Sequence, residues 1–214
     1  MKILVTGFDA FNGEKINPAS LILAGLKDEI DGHKIEKLFL PTVFSKVGEI
    51  IENEIEKIKP DIIISLGQAG GRSDITVERV AINVSDASIV DNDGKMPVDE
   101  KIRDDGENAY FSTLPIKAIV ENLRNEKIPA SVSNSAGTFV CNSVMYNDLY
   151  LAEKYENITA GFIHVPYLPE QVLEKRGEPS MNLETMIKAV EIIIKTSIDF
   201  KDKEDLAKAD GRIS

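Results

Sequence analysis

Cys141 is the only cysteine among 214 residues. It follows a run of small and turn-forming residues, Ser133-Asn134-Ser135-Ala136-Gly137-Thr138, at the point where a helical pattern begins. A cysteine attacks as its thiolate, and the unpaired amides and positive dipole end of a helix N-terminus favour that anion. His164 ends the apolar run Gly161-Phe162-Ile163-His164 and is one of two histidines. One thiol, one imidazole at a strand end and an acid to orient it could carry out nucleophilic catalysis through a covalent intermediate. A free thiol ionises near pH ~8.5, so an imidazole partner and a helix end are expected to depress the Cys141 value. Each residue alone has a plainer reading. A lone cysteine is usually a small buried hydrophobe, and a strand-end histidine can simply be hydrogen-bonded. His33, in Asp31-Gly32-His33-Lys34, reads as solvated in a polar turn.

The elements that would position these groups alternate along the chain. Lys2–Thr6 is a short apolar strand stopped by Gly7, and Asn17-Pro18 starts a helix with Asn as cap and Pro in the first turn. Ile35–Leu40 reads as a strand. Val47, Ile50, Ile51, Ile55 and Ile58 recur at helical spacing until Pro60. Asp61–Leu66 is a β-branched run that suits a strand buried on both faces. Ile75–Val84 reads as one more strand, and residues 86–110 as a long polar excursion of the kind that is functional or mobile. A helix around Ile116–Leu123, a strand at Ala130–Ser133, a helix over 140–155, a strand at Ile158–Val165 and a last helix around Leu183–Ile194 complete the series. This βαβ alternation predicts one three-layer α/β/α sandwich over residues 1–200 with a mostly parallel or mixed central sheet. Residues 201–214 form a charged tail, peripheral or frayed. Sites in such sheets lie at the carboxyl ends of strands, which is where the Cys141, His164 and Gly67 turns fall.

Composition narrows the function classes. A net charge of −11 argues against a nucleic-acid partner, which needs clustered Lys and Arg. No run approaches the length of a membrane span, and Met1–Gly7 is too short an apolar run for a signal peptide, so a cytoplasmic protein without membrane contact is expected. One cysteine makes no internal disulfide. No Cys/His grouping has zinc-ligand spacing, and Asp91-Asn92-Asp93-Gly94 lacks the offsets of a calcium loop, so no metal or cofactor is expected. The glycine cluster from Gly67 to Gly71 lacks the Lys-Ser/Thr ending of a P-loop and runs into a strand rather than a helix.

Three segments in order, together with the N-terminal run, resemble the pyroglutamyl-peptidase I family. These are Gly67-Gln68-Ala69-Gly70-Gly71 leading to Thr76-Val77-Glu78-Arg79-Val80-Ala81-Ile82-Asn83; Ser133 through Cys141-Asn142; and Gly161-Phe162-Ile163-His164-Val165-Pro166-Tyr167-Leu168-Pro169. Val5-Thr6-Gly7-Phe8-Asp9-Ala10-Phe11-Asn12-Gly13 and Asn17-Pro18 fit as well, and the resemblance covers roughly residues 1–195. It implies a metal-free cysteine exopeptidase that removes N-terminal pyroglutamate from peptides. Cys141 would be the nucleophile, His164 the base and later acid, and Glu78 the group that orients His164. Backbone N–H groups near the Cys141 turn would serve as oxyanion donors. It also implies apolar pocket walls at Phe8, Phe11, Thr42, Ile89, Phe139 and Val140, and polar recognition at Asn17 and Gln68. Asn17 has a second explanation as a helix cap. Family members are often tetramers, so a homo-oligomer is implied by the resemblance only. One position departs: the family commonly reads Asp-Ala-Arg-Ile-Pro, whereas Asp86-Ala87-Ser88-Ile89-Val90 stands here. A non-catalytic ligand-binding relative, or a different hydrolase or phosphorylase on the same architecture, would share the fold.

Overall fold

The computed structural model describes residues 1–210. In chain order it contains β1 (Lys2–Phe8), α1 (Pro18–Gly25), β2 (Glu29–Ile30), β3 (His33–Leu40), α2 (Phe44–Ile58), β4 (Ile62–Gln68), β5 (Ile75–Glu78), β6 (Val80–Ile82) and β7 (Ala109–Phe111). It continues with α3 (Ile116–Asn125), β8 (Ala130–Ser133), α4 (Val140–Tyr155), β9 (Thr159–Val165), a 3-10 turn at Pro169–Gln171 and α5 (Leu183–Asp199). A seven-stranded sheet runs β2-β3-β1-β4-β9-β5-β8. The β3-β1-β4-β9 block is parallel, as is the β5–β8 pair, while β5 pairs antiparallel with β9.

Strand alternation assigns the two faces. Ile3 and Val5 of β1, with Ile62, Ile64 and Leu66 of β4, pack under α1, α3 and α5; Leu4 and Phe8, with Ile63, pack under α2 and α4. All seven residues of β4 and of β9 are buried, as expected for central strands covered on both faces. The three-layer α/β arrangement with a mixed sheet is therefore present. No helix of the described residues is long and apolar enough to cross a membrane.

Three local expectations are corrected. Ile75–Val84 is not one strand: it divides at Arg79, and Val80–Ile82 leaves the main sheet to pair antiparallel with β7, a three-residue strand that begins in the last two residues of the expected excursion. The polar turn at Asp31-Gly32 has positive φ at both residues and closes a hairpin between β2 and β3, so His33 begins a strand, with its Nδ1 2.9 Å from the terminal amine of Met1. The tail is docked over its described part. α3 lacks a side-chain cap of its own, and the Asp205 carboxylate accepts the Lys117 and Ala118 amides at 2.9 and 3.0 Å. Residues 211–214 of the expected tail lie outside the described residues.

Candidate active site

Gly67 brings the strand close to the sulfur. A Cβ there would lie 2.7 Å from Phe162 Cζ and 2.9 Å from Cys141 Sγ, so only glycine lets the sulfur and the ring rest on the strand. Gly67 pairs in register with His164 across the β4–β9 ladder. The sulfur, the end of β4 and the imidazole strand thus meet at one place. The carboxyl-end rule holds for β4 and β9. The strand before Cys141, β8, runs the other way, and residues 134–139 carry the chain from it to α4.

The antiparallel β5–β9 pair supplies the acid. Thr76 is opposite His164, and two residues on, Glu78 places Oε1 2.7 Å from His164 Nδ1. Glu78 is fully buried and His164 nearly so. Arg72, from the glycine-rich turn, puts Nη1 2.7 Å from the same oxygen and also donates to Thr76 Oγ1. Burial, the largest influence on Glu78, pushes its carboxyl up, but His164, through hydrogen bond and charge, with smaller contributions from Ser133 and then Arg72, outweighs it and holds the value below the ordinary range. With an ionised carboxylate at Nδ1, the favoured neutral tautomer carries the proton on Nδ1 and leaves Nε2 as the basic nitrogen.

Cys141 contradicts the expectation of a depressed thiol. Burial first, and the Glu78 charge second, push it up to about 12, with Arg72 only partly opposing them. Although the residue as a whole is half-buried, its sulfur is packed against Gly67. In this environment desolvation outweighs the helix end. The resting group is a neutral thiol, which needs a base at the moment of attack. Cys141 is the second residue of α4, and the cap residue Phe139 makes no side-chain cap. The Asn142 and Ser143 amides reach the Phe139 carbonyl at 3.0 and 3.3 Å, while those of Val140 and Cys141 precede any intrahelical acceptor.

Aromatic rings gather over this centre. Phe8 lies 6.3 Å from Phe162, which lies 4.9 Å from the His164 ring; Phe11 lies 5.9 Å from Phe139, and Phe44 meets Phe139 edge-on at 5.2 Å. Thr42 is buried, and its amide and hydroxyl donate to Asp9 Oδ1. Ile89 lies in a segment tied at both ends, by Asp86 to Thr138 and by Asn92 to Thr42 and Asp9. Val140 is fully buried in the core under α4. Asn17 caps α1 through the Ala19 amide and donates to the Asp9 carbonyl, so it holds the β1–α1 loop that carries Phe11. Gln68 is buried with Oε1 accepting from Gln171. Ser88 is exposed. A separate cavity of about 920 Å³, lined in part by Phe44, Glu52, Met96 and Arg103, opens between α2 and the 95–103 segment and contains none of Cys141, His164 or Glu78.

Three groups escaped the sequence reading. Arg72 stands six residues before Glu78 in a turn, and no periodicity joins the two. Gln171 is 103 residues from its partner Gln68. Asp148 had a signal, being two helical turns after Cys141 and so on the same side of α4. It is fully buried, with Oδ2 accepting from Ser65 Oγ at 2.6 Å, while Thr6 Oγ1 donates to Ser65. Burial pushes its carboxyl up to about 8.

The molecule is similar throughout to a set of known proteins. A family model described as Pyroglutamyl peptidase matches residues 1–200. The pyrrolidone-carboxylate peptidase of Finegoldia magna is 54% identical over 213 residues, 99% of each chain, and that of Clostridium perfringens is 56% identical over 199 residues, 92% of this chain and 93% of the other. Among solved structures, the pyrrolidone carboxyl peptidase from Thermococcus litoralis superposes with a TM-score of 0.94 at 42% identity, covering 97% of this chain and 99% of that one. The pyroglutamyl peptidase I from Bacillus amyloliquefaciens gives 0.93 at 44% identity with the same coverage.

Proposed function

The chain belongs to the pyroglutamyl peptidase family, and from that premise we propose that it releases N-terminal pyroglutamate from peptides by thiol catalysis, with Cys141 as nucleophile, His164 as acid-base and Glu78 as the orienting carboxylate. The observation that carries this reading is the 2.7 Å contact between His164 Nδ1 and Glu78 Oε1 beside the strand on which Cys141 Sγ rests. Because the resting thiol is neutral, attack on the pyroglutamyl carbonyl is coupled to transfer of the sulfur's proton to His164 Nε2. The imidazolium so formed is stabilised by the ionised Glu78, with which Arg72 also pairs. Negative charge developing on the carbonyl oxygen falls to the free amides of the first turn of α4. Collapse of the tetrahedral species expels the peptide amine, which takes the proton back from Nε2 and leaves a thioester on Cys141. Water, deprotonated by His164, then attacks the thioester, and free pyroglutamate leaves.

The lactam ring is flat and neutral, and suits walls made by Phe8, Phe11, Thr42, Ile89, Phe139 and Val140. Gln68 supplies the polar recognition. Asn17 contributes by holding the Phe11 loop. Residues 1–200 act as one domain, against which the described part of the charged tail, residues 201–210, is docked. A cytoplasmic location and a homo-oligomer belong to the same reading; a single free thiol suits a reducing compartment.

The deciding experiment is hydrolysis of a fluorogenic pyroglutamyl amide, with a prolyl amide as control and with phosphate present or absent. Release from the pyroglutamyl substrate alone, independent of phosphate, supports the reading. No release, or a phosphate requirement, rejects it.

A further inference from the structure

One face of the sheet carries the whole centre, and strand order sets it out in a line. Phe8 of β1 meets Phe162 of β9, and Phe162 shares its face with His164 two residues on. Gly67 of β4 turns the same way, against Cys141 Sγ and the Phe162 ring. Thr76 and Glu78 of β5 lie on this face beside His164, and across the β5–β8 ladder they stand opposite Ser131 and Ser133. The order β1-β4-β9-β5-β8 therefore lays aromatic walls, sulfur, imidazole, orienting acid and a serine-bearing strand side by side. Helices α2 and α4 pack on this face over β1, β4 and β9, and among the described residues their apolar cluster draws nothing from β5 or β8. Over those two strands lies a cleft of about 360 Å³, lined by Arg72, Ser73, Thr76, Ser131, Ser133 and Asn134.

The cleft offers donors. Arg72 Nη1 is taken by Glu78 and Thr76, but the other guanidinium nitrogens have no partner among the described residues, and the side chain is 32% exposed. Asn134 Oδ1 accepts from Arg79 Nε at 2.8 Å, which fixes the orientation of the amide and leaves its –NH2 group without a partner among the described residues. Asp74 accepts from Ser131 and offsets the Arg72 charge, so the cleft suits neutral carbonyl oxygens better than an anion. The departing amine takes its proton from His164, and the lactam ring lies on the Phe8 side of the sulfur. The remainder of the peptide then leaves across β9 toward β5 and β8. We propose that this cleft is the subsite for the chain that follows pyroglutamate, binding its main-chain carbonyls through Arg72 and Asn134. The inference rests on the peptidase reading and deepens it, because it makes the preferred substrate a pyroglutamyl oligopeptide. From β4 to β8 is three strand spacings, about 14 Å, and an extended chain advances about 3.4 Å per residue, so the third and fourth residues after pyroglutamate reach the cleft.

The test compares pyroglutamyl-alanine amide with pyroglutamyl-tetraalanine amide, following release of pyroglutamate by mass spectrometry. Wild-type kcat/KM should be about tenfold higher for the longer peptide, chiefly through a lower KM. Two variants address the cleft without touching the reacting groups. Asn134→Asp keeps the acceptor for Arg79 and removes the donor, whereas Ser73→Trp fills the cleft from an exposed position. At least one of them should bring kcat/KM for the longer peptide down to within about twofold of that for the shorter, while leaving the shorter substrate at its wild-type value. Turnover of the shorter amide also reports that each variant is folded. Equal wild-type kcat/KM for the two peptides, a length advantage that survives both substitutions, or equal losses on both peptides in both variants would overturn the proposal. Wild-type protein inactive on both peptides would reject the function itself. Activity that is blind to peptide length would reject only this inference.

Discussion

Arg72 and His164 share one oxygen of Glu78, each with a nitrogen 2.7 Å from Oε1. The arginine comes from a glycine-rich turn and the histidine from a strand antiparallel to the one that carries the acid. His164 chiefly, with smaller help from Ser133 and Arg72, keeps this buried carboxylate ionised where burial alone would neutralise it. Arg72 is therefore part of the acid-base unit, although it need not touch substrate.

Arg72→Ala should lower kcat/KM about tenfold or more and move the acid limb of the pH–rate profile upward, because Glu78 loses a partner that depresses its pKa. Arg72→Lys should recover part of the loss. An acid limb that stays in place in Arg72→Ala would show that the arginine only packs the turn.

The raised Cys141 thiol makes a prediction opposite to that for a preformed thiolate–imidazolium pair. With the resting group pushed up to about 12, alkylation of free enzyme by iodoacetamide near pH ~7 should be slower than that of free cysteine, and should accelerate as the pH rises. Stopped alkylation followed by mass spectrometry gives the rate. Reaction faster than free cysteine at neutral pH would mean that the charged pair exists before substrate arrives.

Much of this architecture was legible in the residues. The apolar runs at β4 and β9, the cap at Asn17 and the small-residue turn before Cys141 all announce themselves locally, because burial on both faces and helix starts leave short-range patterns. The direction of β5 does not: Ile75–Glu78 reads the same whether it runs with or against β9, and it is this pairing that brings Glu78 to His164. β7 is three residues long and its one strand partner is β6, which lies about thirty residues earlier in the chain, so no local pattern marks it. The raised thiol is not legible, because the sequence shows the helix end but not the desolvation, which depends on the sulfur packing against Gly67. Gln171 and Arg72 act through contacts set by folding, for which sequence spacing carries no signal.

Asp148 predicts an unusual pH dependence of stability. The folded chain holds its proton up to about pH 8, whereas the unfolded chain releases it near the ordinary aspartate value of 3.8. Between these limits the folded state binds more protons, so this group's contribution is full below the unfolded value and is lost as pH rises through the folded one. The slope is at most about 1.4 kcal/mol per pH unit. Urea denaturation should show Asp148→Asn losing less stability than wild type between about pH 5 and pH 8. Parallel curves for the two proteins would remove Asp148 from the account.

Substrate choice follows from the chemistry of the ring. Free N-terminal glutamate or glutamine carries an ammonium that walls such as Phe8 and Phe11 cannot pair. Proline lacks the lactam carbonyl and leaves a donor unmatched. kcat/KM for pyroglutamyl amides should exceed that for prolyl, glutamyl and glutaminyl amides by roughly 10⁴-fold. Comparable values for prolyl and pyroglutamyl amides would show that the pocket is not this one.

The central claim is that Cys141 is the nucleophile, and steady-state hydrolysis of a fluorogenic pyroglutamyl amide by Cys141→Ser tests it most directly. The substitution nearly preserves size but replaces the thiol with a weakly acidic hydroxyl, so turnover should fall by about 10³-fold or more while circular dichroism stays that of the wild type. His33→Ala, at the far end of β3 from Leu40, should retain wild-type turnover in the same assay. A folded Cys141→Ser protein that hydrolyses the substrate at the wild-type rate would contradict the account.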